Sequence, residues 1–206
     1  MRLIVATSNP HKVDEIRNIA GGCGAEVELV ALGELEEKVE LPEEDGETFL
    51  ENARKKALHV ARVTGEAALA DDSGLCVDAL GGEPGVRSNR FLGEDSTPEE
   101  RNEAILRLLG RIPDEQRGAR FACAACIAFP DGRTLEALET CSGTIARRPS
   151  GTGGFGYDPI FYLPELGCTL AEVPQETKNS VSHRGKAVRE VLRLLRERSG
   201  DASRDP

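Results

Sequence analysis

Two adjacent carboxylates follow an apolar run in the stretch ADDSGL, residues 70–75. Paired acids after a buried strand suit metal-assisted acid or base chemistry on phosphates, because Mg²⁺ takes oxygen ligands and keeps several waters. If the strand ends at Ala70, Asp71 and Asp72 point in opposite directions or enter a turn, so one can bind a metal while the other shapes the turn. An Asx-turn carrying two solvated acids is the alternative.

Two lysines stand where a cation needs an anionic partner. In TSNPHK, residues 7–12, Asn9 and Pro10 predict a helix start, and Lys12 then opposes the positive end of the helix dipole. The first amide groups of such a helix suit a phosphate. Lys56 shares the apolar face of a second predicted helix. The alternatives are a solvated Lys12 and a Lys56 that snorkels to the edge of the core.

A glycine-rich loop, SGTGGFGYDPIF, occupies residues 150–161. It matches the dinucleotide-binding pattern G-x-G-x-x-G, but flanking prolines exclude the strand before it and the helix after it that this pattern requires. The loop instead delivers Phe155 and Tyr157 in a chain with 4% aromatic residues and no Trp. That placement indicates a flat ring to be stacked, with a packed aromatic corner as the alternative.

Three cations, Lys178, His183 and Arg184, lie before and at the start of a predicted C-terminal helix. Cations there oppose the helix dipole unless an anion or a carbonyl-rich ligand is present. None of the three histidines of the chain stands at zinc-ligand spacing with a cysteine. The cluster therefore favours binding of an anionic or carbonyl-rich ligand over a zinc site.

Cys123 and Cys126 match a C-x-x-C redox or metal pair but lie in the apolar run ARFACAACIAFP. Residues three apart in a strand point to opposite faces, so the two thiols should diverge. The six cysteines of the chain are scattered, without the dense pattern of a small disulfide-rich domain. We predict reduced thiols that act as small core residues.

Composition limits the partners. The chain has 206 residues, 39% of them hydrophobic, and a formal net charge of −10. This charge disfavours nucleic acid and anionic membranes as partners, so an anionic ligand needs locally gathered cations or a metal. The absence of a membrane-length apolar run and of a signal peptide predicts a soluble cytoplasmic protein.

Periodicity and capping signals predict a mixed β-sheet flanked by helices, an α/β fold. Capping residues and glycine stops place helices from Pro10 to Gly21-Gly22, from Thr48 to Gly65, from Thr97 to Gly110 and from near Ser182. Strands are expected at residues 2–6, 27–31, 67–70, 120–129 and 134–141, the last two forming an antiparallel hairpin through Pro130-Asp131-Gly132. We expect a single catalytic domain over residues 1–198 and a frayed tail over 199–206.

Five motifs occur in an order that resembles the inosine triphosphate pyrophosphatase family, the XTP/dITP diphosphatases. Between residues 7 and 187 they read TSNPHK, LPEEDGETFLENARKKA, ADDSGLCVDALGGEPGVRSNRF, GTGGFGYDPIF and SHRGKA. The resemblance implies Mg²⁺-dependent hydrolysis of deaminated purine nucleoside triphosphates (ITP, dITP and XTP) to the monophosphate and pyrophosphate. It also implies a homodimer, and an elongated mixed α/β fold of two lobes with the active site in the cleft between them.

The same resemblance assigns roles to residues. Asp72 and Lys56 are the implied catalytic residues, with Asp72 as the proton acceptor for the attacking water and Asp71 in support. Glu43 and Asp72 are the implied metal ligands, and Ser73 touches the nucleotide. The implied triphosphate contacts are Lys56 together with Thr7, Ser8, Asn9, Pro10, His11 and Lys12. The implied base-recognition residues are Phe155, Gly156, Tyr157, Asp158, Lys178, His183 and Arg184.

One segment departs from the family pattern. Members of the family commonly read Tyr-Ser-Ala-Arg-Tyr after GGEPGV, where this chain has Arg87-Ser88-Asn89-Arg90-Phe91. Arg87 and Asn89 therefore bear on fine specificity and on oligomer contacts. The alternatives for function are a pyrophosphatase of other base specificity, an inactive nucleotide-binding sensor, and a phosphatase that uses an aspartyl-phosphate.

Overall fold

The computed structural model describes residues 1–24 and 26–201. Within these ranges the helices are α1 Pro10–Gly22, α2 Phe49–Thr64, α3 Pro98–Leu108, α4 Gln175–Val181 and α5 His183–Asp201. The strands are β1 Arg2–Val5, β2 Glu28–Ala31, β3 Ala68–Val77, β4 Gly118–Ala128, β5 Thr134–Ile145, β6 Phe161–Leu163 and β7 Cys168–Thr169. They form one sheet in the order β2-β1-β3-β4-β5-β6-β7.

The sheet is mixed, as the sequence predicts. β1 pairs in parallel with β2 and β3, whereas β6 pairs antiparallel with β5 and β7. Backbone hydrogen bonds join Phe129 to Arg133 beside the turn and Ile145 to Arg117 at the far end. These two pairs are placed symmetrically about the turn, which identifies β4 and β5 as the predicted antiparallel hairpin.

By its contacts the chain divides into two compact units, which we describe separately. The first unit contains residues 1–72, 123–139 and the chain from Arg184 onward. Alternate residues of β1 point to opposite faces of the sheet in this unit. Leu3 and Val5 pack with residues of α1 and α5, whereas Ile4 and Ala6 pack with residues of α2. The sheet is therefore covered on both faces here.

The second unit contains residues 73–122 and 140–183. Its core joins Leu75 of β3 and Ile105 of α3 to Phe121 and Phe161, whose rings are 4.6 Å apart. The buried guanidinium of Arg117 donates hydrogen bonds to the carbonyl oxygens of Leu109, Ile145 and Ala146. This arginine ties the C-terminal end of α3 to the chain after β5.

Three predicted helix starts are confirmed by their caps. The Asn9 side chain accepts a hydrogen bond from the His11 backbone N–H. Thr48 and Thr97 form capping boxes with Glu51 and Glu100. Each cap satisfies backbone donors that the first helical turn cannot satisfy itself. α1 continues through the glycine pair to Gly22, and α5 begins one residue after Ser182.

Two of the predicted strands were too short. β3 was predicted to end at Ala70 but continues to Val77, and β5 continues past Cys141 to Ile145. Asp71 and Asp72 consequently lie inside a strand, so the Asx-turn reading was wrong. The helix α4 and the short strands β6 and β7 were not predicted. In the C-terminal region predicted to fray, α5 reaches Asp201, and residues 202–206 lie outside the described residues.

Candidate active site

The two adjacent aspartates face opposite sides of β3. Asp71 lies on the side of Leu69, in the core shared with α1 and α5, and Asp72 lies on the side of Ala70, against α2. Their exposed fractions are 0% for Asp71 and 2% for Asp72. Strand alternation thus gives two neighbouring acids different helices as partners.

Asp71 belongs to a buried ionic network. Its Oδ2 atom lies 3.1 Å from Nζ of Lys12 and 3.0 Å from Nε of Arg184. Nη1 of the same arginine lies 2.6 Å from Oε2 of Glu15. Burial would raise the pKa of Asp71, but the charges of Lys12 and Arg184 outweigh it and hold that pKa far below its ordinary value. The network pairs two cations with two carboxylates, so Lys12 is neither solvated nor without an anion.

Asp72 has a different environment. Its Oδ2 atom accepts a hydrogen bond of 2.9 Å from Nδ2 of Asn52. Burial raises the pKa of Asp72, and the negative charge of Glu44 raises it further, although Lys56 acts in the opposite direction. The two neighbouring aspartates thus have pKa values displaced in opposite directions, which is the arrangement expected when one acid is structural and the other exchanges protons.

Lys56 is buried on the same side, 4% exposed. Its ammonium donates one hydrogen bond of 2.7 Å to the backbone oxygen of Asp71 and contacts the carboxylate of Glu44. Burial lowers the pKa of Lys56, but the surrounding carboxylates outweigh it and the net direction is upward. Lys56 therefore carries its positive charge inward, and the snorkelling alternative is excluded.

The carboxylate that meets Lys56 is Glu44. The family resemblance implied Glu43 as a metal ligand, and its side chain is exposed, whereas Glu44 is half-buried and acts electrostatically on Asp72. Among the described residues no group of three or more His, Cys, Asp or Glu side chains is arranged to hold a metal ion. Mg²⁺ needs fewer protein ligands, since it binds one or two carboxylates together with substrate phosphates and waters. The oxygen donors of Glu44 and Asp72 fit that requirement.

The first predicted phosphate loop leads into α1. Thr7 is buried and its Oγ1 accepts a hydrogen bond of 3.2 Å from the Asn9 N–H, while Ser8, Pro10 and His11 are exposed. A cavity of about 640 Å³ adjoins Thr7, Ser8 and Pro10 and extends between α1 and residues 31–41. The loop thus presents the positive end of α1 at an open surface. Ser73, the predicted nucleotide contact, is half-buried in β3.

In the second unit, Asp158 organises the glycine-rich loop. Its Oδ2 atom lies 2.6 Å from Nζ of Lys178, both residues being buried, and accepts a 2.8 Å hydrogen bond from the Phe155 N–H. The Lys178 ammonium stands 4.8 Å from the centroid of the Phe155 ring. Gly154 has φ +68°, and a Cβ there would come within 2.1 Å of Oδ2 of Asp158. Glycine is therefore required for the loop to close on this carboxylate.

The loop's two aromatic residues differ. Tyr157 is 5% exposed, packs in the core, and donates a hydrogen bond of 2.9 Å to the backbone oxygen of Ser88. Burial raises the pKa of Tyr157 to about 12. Phe155 is half-buried, and the backbone oxygen of Gly156 accepts a 3.0 Å hydrogen bond from Asn102. The packed-corner alternative holds for Tyr157, and Phe155 keeps a surface that can stack.

The three predicted C-terminal cations have different partners. Lys178 pairs with Asp158, and the imidazole of His183 stacks on the Phe121 ring with centroids 4.6 Å apart. Arg184 donates hydrogen bonds to Asp71 and Glu15. The shared role of Lys178, His183 and Arg184 in base recognition stays a prediction.

Sequence reasoning missed several residues of these clusters. Asn52 lies one helical turn before Lys56, and Glu15 follows Lys12 by three residues on α1, so helical spacing could have found both. Asn102 holds the aromatic loop from outside any motif, whereas Ser88 lies in the third motif but was given no role. Arg87 and Asn89, beside Ser88, are exposed.

The C-x-x-C pair diverges as predicted. Cys123 packs in the core formed with α1 and α5, and Cys126 packs in the core formed with α2. Both thiols are free, and burial raises the pKa of Cys126 to about 12. They are core residues and do not form a redox or metal pair.

Comparison with known proteins places these residues in a family. A sequence model of the Ham1 family matches residues 3–194. A relative from Desulforamulus reducens named dITP/XTP pyrophosphatase is 50% identical over 195 residues, covering 95% of this chain and 96% of the relative. A relative of the same name from Thermus thermophilus is 46% identical, with coverage of 96% and 93%.

Solved structures agree. A HAM1 protein from Coxiella burnetii superposes with a TM-score of 0.85 at 38% identity, covering 96% of this chain and 99% of that one. A Mycobacterium abscessus protein, described as a nucleoside-triphosphatase and dITP/XTP pyrophosphatase, gives a TM-score of 0.71 at 42% identity, with coverage of 90% and 96%. None of the described helices is both long and apolar enough to span a membrane. This chain belongs to the Ham1 family.

Proposed function

We propose that this chain is a nucleoside triphosphate pyrophosphatase that hydrolyses ITP, dITP and XTP to the monophosphate and pyrophosphate with Mg²⁺. Relatives that carry the name dITP/XTP pyrophosphatase over nearly the whole chain support the substrate class. The observation that carries the chemistry is the placement of Asp72 against Lys56 and Glu44, with its pKa raised, beside an Asp71 whose charge is already neutralised.

The proposed reaction divides the work among residues of the first unit. A water molecule attacks the α-phosphorus, its proton passes to the Asp72 carboxylate, and pyrophosphate leaves with the electrons of the broken anhydride bond. Lys56 and Lys12, with the N-terminal amides of α1, stabilise the negative oxygens of the triphosphate. Glu44 and Asp72 would hold Mg²⁺, which when bound supplies positive charge that neutralises the phosphate oxygens.

Base recognition is assigned to the second unit. Inosine and xanthine carry an acceptor oxygen at the purine 6-position, where adenine carries a donor amine. The side-chain nitrogen of Lys178, fixed by Asp158, can donate to the oxygen but faces the amine with a mismatched donor. The half-buried Phe155 ring offers a stacking surface for the purine. His183 is proposed to complete this recognition surface, and Arg184 to act through the network of Asp71.

The proposal extends to a homodimer in the cytoplasm, on the resemblance of the motifs to the inosine triphosphate pyrophosphatase family. Size-exclusion chromatography with light scattering tests the dimer. The mass of a single subunit in solution would contradict the dimer. The enzymatic proposal is tested separately, by the assay described next.

The experiment is incubation of the purified protein with Mg²⁺ and, separately, ITP, XTP, dITP, GTP and ATP. Pyrophosphate and orthophosphate are assayed independently. We expect pyrophosphate from ITP, dITP and XTP and little from ATP or GTP. Orthophosphate without pyrophosphate would favour the phosphatase alternative, and tight binding without turnover would favour the sensor.

A further inference from the structure

An acidic segment lies along one side of α2. We call residues 40–47, which precede the helix, the strap. Side chains of α2 hold it at successive points, so that the strap runs antiparallel to the helix. The contacts pair His59 with the Glu40 backbone oxygen, Lys56 with Glu44, Lys55 with Asp45, Asn52 with the Gly46 N–H, and Glu51 with the Glu47 N–H. The helix side chains recur at three- and four-residue intervals, which is one helical face.

Gly46 is the point of closest approach. A Cβ at this residue would lie 2.7 Å from Oδ1 and 3.2 Å from Cγ of Asn52, and 2.9 Å from Cβ of Glu51. Any larger residue would push the strap away from the helix. Glu44, which lies two residues before Gly46 in the strap, contacts Lys56. The position of the Glu44 carboxylate therefore depends on how closely Gly46 packs on α2.

Asn52 connects this contact to the catalytic strand. Its Oδ1 atom accepts a hydrogen bond of 2.8 Å from the Gly46 N–H, and its Nδ2 atom donates one of 2.9 Å to Oδ2 of Asp72. The side chain is 1% exposed. Because one end must accept and the other must donate, an amide fits both partners, whereas a carboxylate cannot donate to Asp72.

We infer that Asn52 is a positioning residue that fixes the strap, and with it Glu44, relative to the carboxylate of Asp72. This inference rests on the proposed function, in which Glu44 and Asp72 hold the divalent cation. Asn52 acts through these two acids and through Gly46. Partners of metal-binding carboxylates orient their ligands, and their loss typically weakens metal binding or activity by about 10- to 100-fold.

Two variants break the connection from opposite ends. Asn52→Asp keeps the size and the acceptor for Gly46 but removes the donor to Asp72. Gly46→Ala keeps that donor but displaces the strap from the helix. Lys55→Ala is the matched control, since it removes the exposed contact with Asp45 on the same strap and helix. Thermal unfolding of each purified variant reports whether it has folded.

The first readout is Mn²⁺ binding without nucleotide, measured by electron paramagnetic resonance with Mn²⁺ as the probe. We expect both Asn52→Asp and Gly46→Ala to raise the dissociation constant by about 10- to 100-fold, and Lys55→Ala to change it less than about twofold. The second readout is ITP hydrolysis against Mg²⁺ concentration, where the first two variants should need more Mg²⁺ for half-maximal rate.

The inference is overturned if either folded variant binds Mn²⁺ like the parent, or if the parent shows no Mn²⁺ site. Failure of the proposed function would look different. The parent would then release no pyrophosphate from ITP, but Mn²⁺ binding by the parent and the variants could still be compared. If Asn52→Asp does not fold, Gly46→Ala decides the outcome.

Discussion

Asp71 and Asp72 are neighbours in the chain, yet they occupy two chemically different regions. On the side of α1 and α5, Asp71 pairs with the cations Lys12 and Arg184, and Arg184 also pairs with Glu15. On the side of α2, Asp72 receives an amide hydrogen bond and shares Lys56 with Glu44. The first region is balanced in charge within the protein. The second has more negative than positive side chains, which favours binding of a further cation.

This difference shows how a single strand can carry a structural acid and a reactive acid in adjacent positions. Alternation sends the side chains to opposite faces, so each pKa is set by a separate set of helices. The cost of burying Asp71 is offset by cations that the fold itself supplies. The proton affinity of Asp72 is raised mainly by burial, so it can accept a proton more readily than its neighbour.

The largest expected effect is on the Asp72 side. Asp72→Asn should lower kcat for ITP by about 10²- to 10⁴-fold, because the amide cannot accept the proton of the attacking water. The stability of the protein should remain close to that of the parent, since burial already disfavours the charged carboxylate of Asp72 and an amide oxygen can still accept the hydrogen bond from Asn52. Steady-state kinetics and thermal unfolding check both statements. Parent-like turnover by Asp72→Asn would refute its assignment as the proton acceptor.

The matching substitution at Asp71, on the opposite face of β3, should lower the stability of the fold. Asp71→Asn should lower the free energy of unfolding by about 3–5 kcal/mol, because Lys12 and Arg184 lose a buried countercharge. Its folded fraction should lose less activity than Asp72→Asn. Urea unfolding gives the free energy, with Glu103→Gln, which changes an exposed acid of α3 outside the network, as a control. Equal stability of Asp71→Asn and the parent would contradict the structural role of the network.

A third change tests base recognition in the second unit. Lys178→Met removes the charged donor beside Phe155 and should lower kcat/KM for ITP by about 10- to 100-fold, the range for a hydrogen bond to a charged group. The value for ATP should fall much less, because adenine presents no acceptor at the 6-position. Parallel assays with the two substrates measure the ratio. Equal losses for ITP and ATP would assign Lys178 to general binding or to the structure of the loop.

The smallest effect is expected at the two central thiols. Cys126→Ala should change the free energy of unfolding by about 1 kcal/mol and leave ITP turnover unchanged, because the thiol only fills space in the core with α2. Native protein should also react slowly with thiol reagents at this position. Rapid modification accompanied by loss of activity would show that Cys126 is accessible and tied to function.

Helix boundaries could be predicted because caps are local. Asn9, Thr48 and Thr97 each satisfy backbone donors within three residues, and the structure confirms all three. α4 escaped prediction because it has seven residues and no side-chain cap at Pro174. β3 was cut short at Ala70 because charged residues inside a strand look like a turn until their partners on neighbouring helices are known.

The candidate site was predictable in composition but not in pairing. The sequence identified Lys12, Lys56, Asp72 and Lys178 as residues that need partners, and the structure supplies a carboxylate or amide for each. It could not separate Glu43 from Glu44, since the strap has no regular periodicity and only its packing on α2 decides which acid turns inward. Nor could it show that Arg184 binds Asp71, because the two residues are 113 positions apart in the sequence.

The strap has a consequence for the order of folding. Its contacts with α2 join residues between four and 19 positions apart, whereas the network of Asp71 joins Glu15 to Arg184 across 169 positions. Short loops cost little entropy to close, so the strap and helix can associate while the rest of the chain is still open. We expect the network of Asp71 to form later, when the C-terminal helix docks. A nascent chain would then organise the side of Glu44 and Lys56 before the segment bearing Arg184 has been synthesised.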